Sequence, residues 1–348
     1  MEEFIDPTDS SDELLEMVSF EVDPGQAPLR VDRYLANRLA KVSRSRIQAA
    51  IDAGLVLVNG KSTKASFRIS GNDRVELRLP KLTDSSEVVA EDIALNIVYE
   101  DDAVMIVNKP RGMVVHPAPG VRSGTLVNAL AFYLRSRRAD PDNRFGLVHR
   151  IDRDTSGLLV IAKTEFAHAH LARQFFEHTI TREYYALVWG EPDPPSGTIE
   201  VNIGRDLKMR QRQSAFSDGL NGKHAVTHYE TVEAFYYTSL VKCMLETGRT
   251  HQIRVHMKYI GHPLFNDEKY GGSRILKGTV FNKYRQFVEN CFAILPGHAL
   301  HARSIGFTHP VSRERMHFEI DPPLAFQQLI DKWRAYTLSR TDAQRELN

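Results

Sequence analysis

Asp152 and Asp154 stand two residues apart in Gly146-Leu147-Val148-His149-Arg150-Ile151-Asp152-Arg153-Asp154-Thr155-Ser156-Gly157-Leu158-Leu159-Val160. This stretch packs three basic residues, two carboxylates and two hydroxyls in front of an apolar run that reads as a buried strand. Charged groups beside a core strand lose hydration unless they are paired. Clefts that do chemistry concentrate such groups. From the residues alone two readings stay open. One is a carboxylate pair of glycosidase or nucleosidase type, which needs carboxyl groups ~5 to 9.5 Å apart and a positioned water. The other is a polar loop closed by its own ion pairs.

Fourteen histidines invite a metal hypothesis, but their spacing speaks against it. His251 and His256 are five apart, and His168 and His170 two apart, so neither is the i,i+4 pair of a zinc helix. There is no HExxH and no Cys-rich cluster. Gly120-Val121-Arg122-Ser123-Gly124 and Gly271-Gly272 match neither phosphate-cradling fingerprint. The expectation is therefore no metal and no phosphate-cradling loop. Met209, Phe235, Tyr236 and Tyr237 read as packing residues.

The elements that must position the charged stretch belong to a chain of 348 residues and 39.5 kDa. At ~150 residues per domain that length accommodates two to three domains. Hydrophobic residues at 42% and charged residues at 26% allow a sizeable core without staples. The densest apolar run, Leu158 to Ala162, falls far short of the ~18 residues of a membrane span. Cys243 and Cys291 cannot make a disulfide framework. With an acidic N-terminus unlike a secretory signal, these features suggest a cytoplasmic protein with no membrane partner, expected to be a monomer.

The net charge of +1 conceals an uneven distribution. Residues 1–28 carry nine acidic and no Lys or Arg residues, residues 29–82 twelve basic against four acidic, and the remainder is nearly balanced. A compact basic module suits a polyanion, because Lys and Arg displace condensed counterions from phosphates. The acidic residues 1–28 are expected to be a disordered tail, with Leu14, Leu15 and Val18 allowing a turn or two of helix. Apolar spacing predicts a helix from Val31 to Leu39. Ser43 is placed to cap a second helix that Gly54 ends. Leu55 to Val58 reads as a strand, Asn59-Gly60 as a tight hairpin turn, and Val75 to Leu79 as a closing strand. A linker is expected over 83–91, a large domain over 92–325 and a C-terminal helix or tail over 326–348. Within the large domain, strands are expected at 103–107, 158–162, 183–188 and 240–245, and helices at 125–135, 165–177 and 250–260. Strands and helices do not alternate regularly, so the expected class is α+β, not a doubly wound parallel sheet. The stretch from Ile275 to Pro296 has no evident role.

Residues 29–79 resemble an S4-type RNA-binding domain through Leu29-Arg30-Val31-Asp32-Arg33-Tyr34-Leu35, Ser43-Arg44-Ser45-Arg46-Ile47-Gln48 and Val56-Leu57-Val58-Asn59-Gly60-Lys61. Gly71-Asn72-Asp73 departs from that pattern by one extra turn residue. The resemblance implies a small αα-β fold presenting Arg44, Arg46, Lys61 and Lys64 to folded RNA. No base-reading aromatic cluster is evident, so shape and phosphate recognition are expected. The loop after Gly204, with Arg205, Lys208, Arg210 and Arg212, is a second candidate for tracking RNA; a plain solvated loop is the alternative.

Residues 92–322 resemble a pseudouridine synthase of the RluA type, and within it the members that act on large-subunit rRNA. The resemblance rests on Asn108-Lys109-Pro110-Arg111-Gly112 with Val115-His116-Pro117, and on His149 to Gly157, where Ile151 replaces the usual Leu. It rests also on Arg182-Glu183-Tyr184-Tyr185-Ala186-Leu187-Val188, on Glu246 to His256 and on Leu300-His301-Ala302 ending in His309-Pro310. It implies a catalytic domain on a mixed, largely antiparallel sheet with flanking helices. It implies an isomerase that detaches uracil from C1′ of its ribose, turns it and reattaches it through C5, a reaction that requires no cofactor and no metal. In that reading Asp152 is the essential carboxylate, Arg254 pairs with it, Tyr184 stacks on the uracil and Arg150 helps hold the nucleotide out of its helix. Asp154 becomes a loop partner. The implied partner is RNA, large-subunit rRNA or a pre-ribosomal particle. The alternatives are a tRNA or other rRNA site, and an RNA-binding assembly factor without catalysis. The basic module is expected to sit apart from the active site.

Overall fold

The computed structural model describes residues 15–39, 42–80, 88–118, 120–135, 146–209 and 211–346. Val31, Tyr34 and Leu35 recur at helical spacing and form the buried face of helix Val31–Arg38. Helix Arg44–Asp52 begins where the Ser43 hydroxyl accepts the Arg46 N–H at 3.2 Å. The Asn59-Gly60 turn has both residues at positive φ, as a two-residue hairpin requires, and joins strands Val56–Val58 and Lys61–Ser62. Strand Arg74–Pro80 completes the module against Val56–Val58.

The expected disordered tail is corrected in its second half. Leu15–Glu21 is a strand paired antiparallel to Arg74–Pro80 along seven positions. Val18 and Phe20 face inward while Ser19 and Glu21 face out, a period of two that suits a half-buried edge strand and not a helix. Residues 1–14 lie outside the described residues.

The large domain is built on a ten-stranded sheet. Its strands run Ser196–Glu200, Val226–Phe235, Thr238–Leu245, Thr181–Trp189, Leu300–Thr308, Ser156–Ala162, Val104–Lys109 and Ile97–Glu100. Arg315–Glu319 and Gly146–Leu147 attach beside that path. One pair is parallel, Ser156–Ala162 with Leu300–Thr308; the other pairs are antiparallel. The expected α+β class is the observed one. The parallel pair needs Gly157: its φ is +117°, and a Cβ there would lie 2.2 Å from the Ala302 carbonyl oxygen.

The basic module packs on helix Glu165–Phe176, while residues 83–87 of the expected linker lie outside the described residues. Leu79, Ala50, Leu171 and Phe175 belong to one continuous core. Arg173 donates to the Ala53 carbonyl at 2.8 Å, and Arg78 lies 4.8 Å over the Phe176 ring. The end of the expected linker is also fixed, since Asn128 donates to the Val89 carbonyl at 2.7 Å and Glu91 accepts the Gly124 N–H at 3.0 Å.

The stretch that lacked a role contains helix Asn282–Ile294, which packs with helix Leu324–Glu346 around Trp189 and Trp333. Tyr237 joins that aromatic cluster, its ring 5.1 Å from Tyr284. Among the described residues no helix is long and apolar enough to cross a membrane.

Candidate active site

The loop from His149 to Thr155 is held at several points by the sheet behind it. His149 accepts the Val160 N–H at 3.0 Å and stacks on Phe175 with ring centroids 4.8 Å apart. Burial pushes this imidazole down to about 3, so it is a neutral anchor. Ile151 enters the core beside Val107, Val115 and Leu159. The Thr155 N–H closes a turn onto the Asp152 carbonyl at 3.1 Å, and its hydroxyl meets His298 Nε2 at 2.8 Å.

Lys109 ties this loop to its neighbour. It is fully buried at the end of strand Val104–Lys109. Its Nζ donates to the carbonyls of Pro110 and Met113 at 2.8 Å and of Arg153 at 3.0 Å. Burial pulls the ammonium down to about 7 against the pull of Asp152 and Asp154. Three carbonyl acceptors require three protons, which only the charged form carries.

Helix Gln252–Tyr259 brings the opposite wall. Gln252 fixes its start, accepting from Thr247 and the Arg249 N–H and donating to Val226 and Thr227. His256, one turn on, meets Thr227 and the Val201 carbonyl on the sheet side. Arg254, between them, turns the other way. Its Nη1 donates to Asp152 Oδ2 at 2.8 Å. Its Nε and Nη2 grip Asp267 at 2.7 and 2.9 Å. The Tyr270 ring lies 4.8 Å from the guanidinium. Asp267 is 1% exposed and Asp152 21%, so the inner carboxylate is sealed and the outer one is open.

Burial alone would raise the Asp152 carboxyl, but His251, Arg254 and His298 outweigh it and hold it well below the usual range. Burial also pushes His251 down to about 4 and His298 lower than normal. At neutral pH both imidazoles are uncharged, so Arg254 is the cation that keeps Asp152 ionised. Burial pulls Arg254 down, and its two carboxylates push it above its ordinary value.

Tyr184 lies on strand Thr181–Trp189 and is 6% exposed. It sits between Cys243 and Ala302 on the flanking strands, at a register shift after Glu183. Such irregularities re-aim side chains beside active sites. Burial raises its phenol, and Asp152 adds to the shift.

The sequence-derived candidates separate into groups. Asp152, Arg254 and Tyr184 converge, while Arg150 is exposed. Asp154 turns to Arg153 at 3.2 Å and faces Gly297, so it has different surroundings from Asp152. In the basic module Arg44, Lys61 and Lys64 are exposed, but Arg46 is half-buried and donates to the Pro80 carbonyl. Lys64 shares a groove of about 840 Å³ with Arg30 and Arg173. Lys208 is exposed beyond the hairpin of Asn202–Arg205 and Gln213–Phe216; Arg210 lies outside the described residues. Sequence reasoning missed Asp267 and Tyr270, because Asp267-Glu268-Lys269-Tyr270 before the two glycines reads as an ordinary polar turn.

Two protein families and several known proteins match the chain. The RNA pseudouridylate synthase family matches residues 103–259, and the S4 domain family matches residues 29–75. An uncharacterised RNA pseudouridine synthase of Chlorobaculum parvum is 41% identical, covering 91% of this chain and 98% of that one. The ribosomal large subunit pseudouridine synthase D of Zymomonas mobilis is 41% identical, covering 86% and 92%. Human RNA pseudouridylate synthase domain containing 4 shares the fold at a TM-score of 0.55 and 21% identity, covering 69% of this chain and 93% of that one.

Proposed function

The chain belongs to the RNA pseudouridine synthase family, and on that premise we propose that it isomerises uridines of large-subunit rRNA, with Asp152 as the carboxylate that reacts. The C1′–N1 bond breaks, the uracil turns, and a C1′–C5 bond forms. C5 loses its hydrogen and N1 gains one, so the mass is unchanged. Asp152 serves either as nucleophile at C1′ or as base toward the sugar, and both routes need it ionised.

The observation that carries this reading is the 2.8 Å contact of Arg254 with Asp152, in which an ionised carboxylate is held partly open to a substrate. Tyr184 offers a flat face for the detached base, and Arg150 a cation for the extruded nucleotide. Extrusion costs a few kcal/mol, which stacking and phosphate contacts must offset. Arg44, Lys61 and Lys64 on the S4 domain, with Lys208 and Arg210, supply a route for the RNA backbone. The large-subunit target draws support from the Zymomonas mobilis relative.

The test is a pseudouridine map of rRNA and tRNA from cells lacking the gene, with wild-type and Asp152→Ala rescue copies. Sites lost from large-subunit rRNA and restored by the wild type alone support the proposal. An unchanged rRNA map with losses in tRNA moves the target; unchanged maps in both favour an assembly factor.

A further inference from the structure

We propose that His251 and Tyr270 form a relay that positions Asp152, with the Tyr270 hydroxyl fixing the imidazole so that its Nε2–H faces the carboxylate oxygen that Arg254 leaves open. This rests on the reading of Asp152 as the reacting carboxylate.

Arg254 occupies Oδ2 of Asp152, and His251 Nε2 lies 3.9 Å from Oδ1. His251 is held there at a backbone cost. It opens helix Gln252–Tyr259 in the left-handed region, φ 56° and ψ 22°, which few residues with a Cβ adopt. Its side chain makes no cap bond to the helix. Instead Nδ1 meets the Tyr270 hydroxyl at 2.7 Å.

The hydroxyl settles the tautomer. The Gln213 N–H donates to it at 3.1 Å and takes up a lone pair. Among the described residues the remaining partner is His251 Nδ1, which therefore accepts the hydrogen bond that the phenol O–H donates. The imidazole proton is then on Nε2, pointing at Asp152. The opposite tautomer would aim a lone pair at a carboxylate.

Burial keeps His251 uncharged at neutral pH, so it offers a hydrogen bond without adding a second cation beside Arg254. Tyr270 also supports the other side, since its ring lies by Arg254 and its N–H donates to Asp267 at 3.1 Å. One buried residue thus braces both groups that address Asp152. A separation of 3.9 Å is too long for a hydrogen bond. Such contacts tighten when substrate is seated, which places the donor's effect on the chemical step.

Single-turnover isomerisation on saturating RNA tests this with Asp152→Asn, His251→Ala, His251→Gln, Tyr270→Phe and the His251→Ala/Tyr270→Phe pair. The relay predicts that His251→Ala slows the maximal rate by about 10- to 100-fold with RNA affinity unchanged. His251→Gln, which keeps an N–H donor, recovers part of the rate. Tyr270→Phe keeps the ring and slows the reaction in the same direction, and the double variant is no slower than His251→Ala alone. If His251→Ala does not fold, Tyr270→Phe carries the test. Full rates in either single variant, or losses that multiply in the pair, overturn the relay. An inactive Asp152→Asn beside a fully active His251→Ala sinks the relay alone. An active Asp152→Asn sinks the underlying reading of Asp152.

Discussion

Arg254 holds Asp152 with one nitrogen at 2.8 Å while its other two grip the buried Asp267. The guanidinium is a rigid plate clamped from behind by one carboxylate and presented to the other. Lysine cannot reproduce this, because its ammonium is a single point donor on a flexible stem. Arg254→Lys is expected to slow the reaction by about 100-fold or more on saturating RNA, read from single-turnover rates.

Removing the clamp is a separate matter. Asp267→Ala leaves Arg254 buried with half its partners gone, a change that costs about 3 to 5 kcal/mol in comparable buried pairs. Chemical denaturation is expected to show a lower midpoint with an unchanged slope.

The acid side of the pH profile follows from the lowered carboxyl of Asp152. A group whose folded pKa is depressed contributes stability above its unfolded value, about 3.9 for Asp, and loses it as pH falls through the folded value. The stability that the Asp152–Arg254 pair contributes is therefore complete from about pH 5 upward, and because the folded carboxyl stays ionised there, wild-type rates are expected to show no Asp152 limb. In Arg254→Gln, burial is no longer opposed by that charge, so the residual activity acquires an acid limb at higher pH. A profile of the same shape in both proteins would contradict this.

Lys109 is fully buried and supports the loop through three backbone carbonyls. Lys109→Met fills a similar volume but leaves the carbonyls of Pro110, Met113 and Arg153 without their donor. Each buried orphan costs about 1 to 3 kcal/mol. A large fall in thermal midpoint is expected, with little change in RNA affinity at temperatures where the variant is folded.

Gly157→Ala probes the parallel strand pair next to Asp152. An added Cβ meets the Ala302 carbonyl oxygen at 2.2 Å in a backbone conformation alanine avoids. The variant is expected to fold poorly or lose activity, whereas Gly120→Ala, with open space around its Cβ, pays only for its positive φ.

Much of this was legible in the chain. Ser43, Asn59-Gly60 and Gly54 mark local decisions, a cap, a turn and a stop, that depend on few neighbours. Asp152, Arg254 and Tyr184 were nameable because their motifs resemble a known family, and the geometry brings them together. The strand Leu15–Glu21 was not legible, since its alternation is short and its partner, Arg74–Pro80, lies over fifty residues away. Docking of the basic module depends on a face of helix Glu165–Phe176 that reads as ordinary core. Asp267 lacked a signal of its own: a carboxylate in a turn is commonplace, and only the fold sets it behind Arg254.

The central claim is that Asp152 carries out the isomerisation on RNA. Uridine labelled with tritium at C5 must lose the label to water when C5 bonds to C1′. The direct measurement is tritium release from a labelled large-subunit rRNA fragment by wild type and by Asp152→Asn, with RNA affinity and free uracil followed in parallel. The account predicts release by the wild type alone, equal affinity for both proteins and no free uracil. Tritium release by Asp152→Asn at the wild-type rate, or uracil set free from the chain, would contradict it.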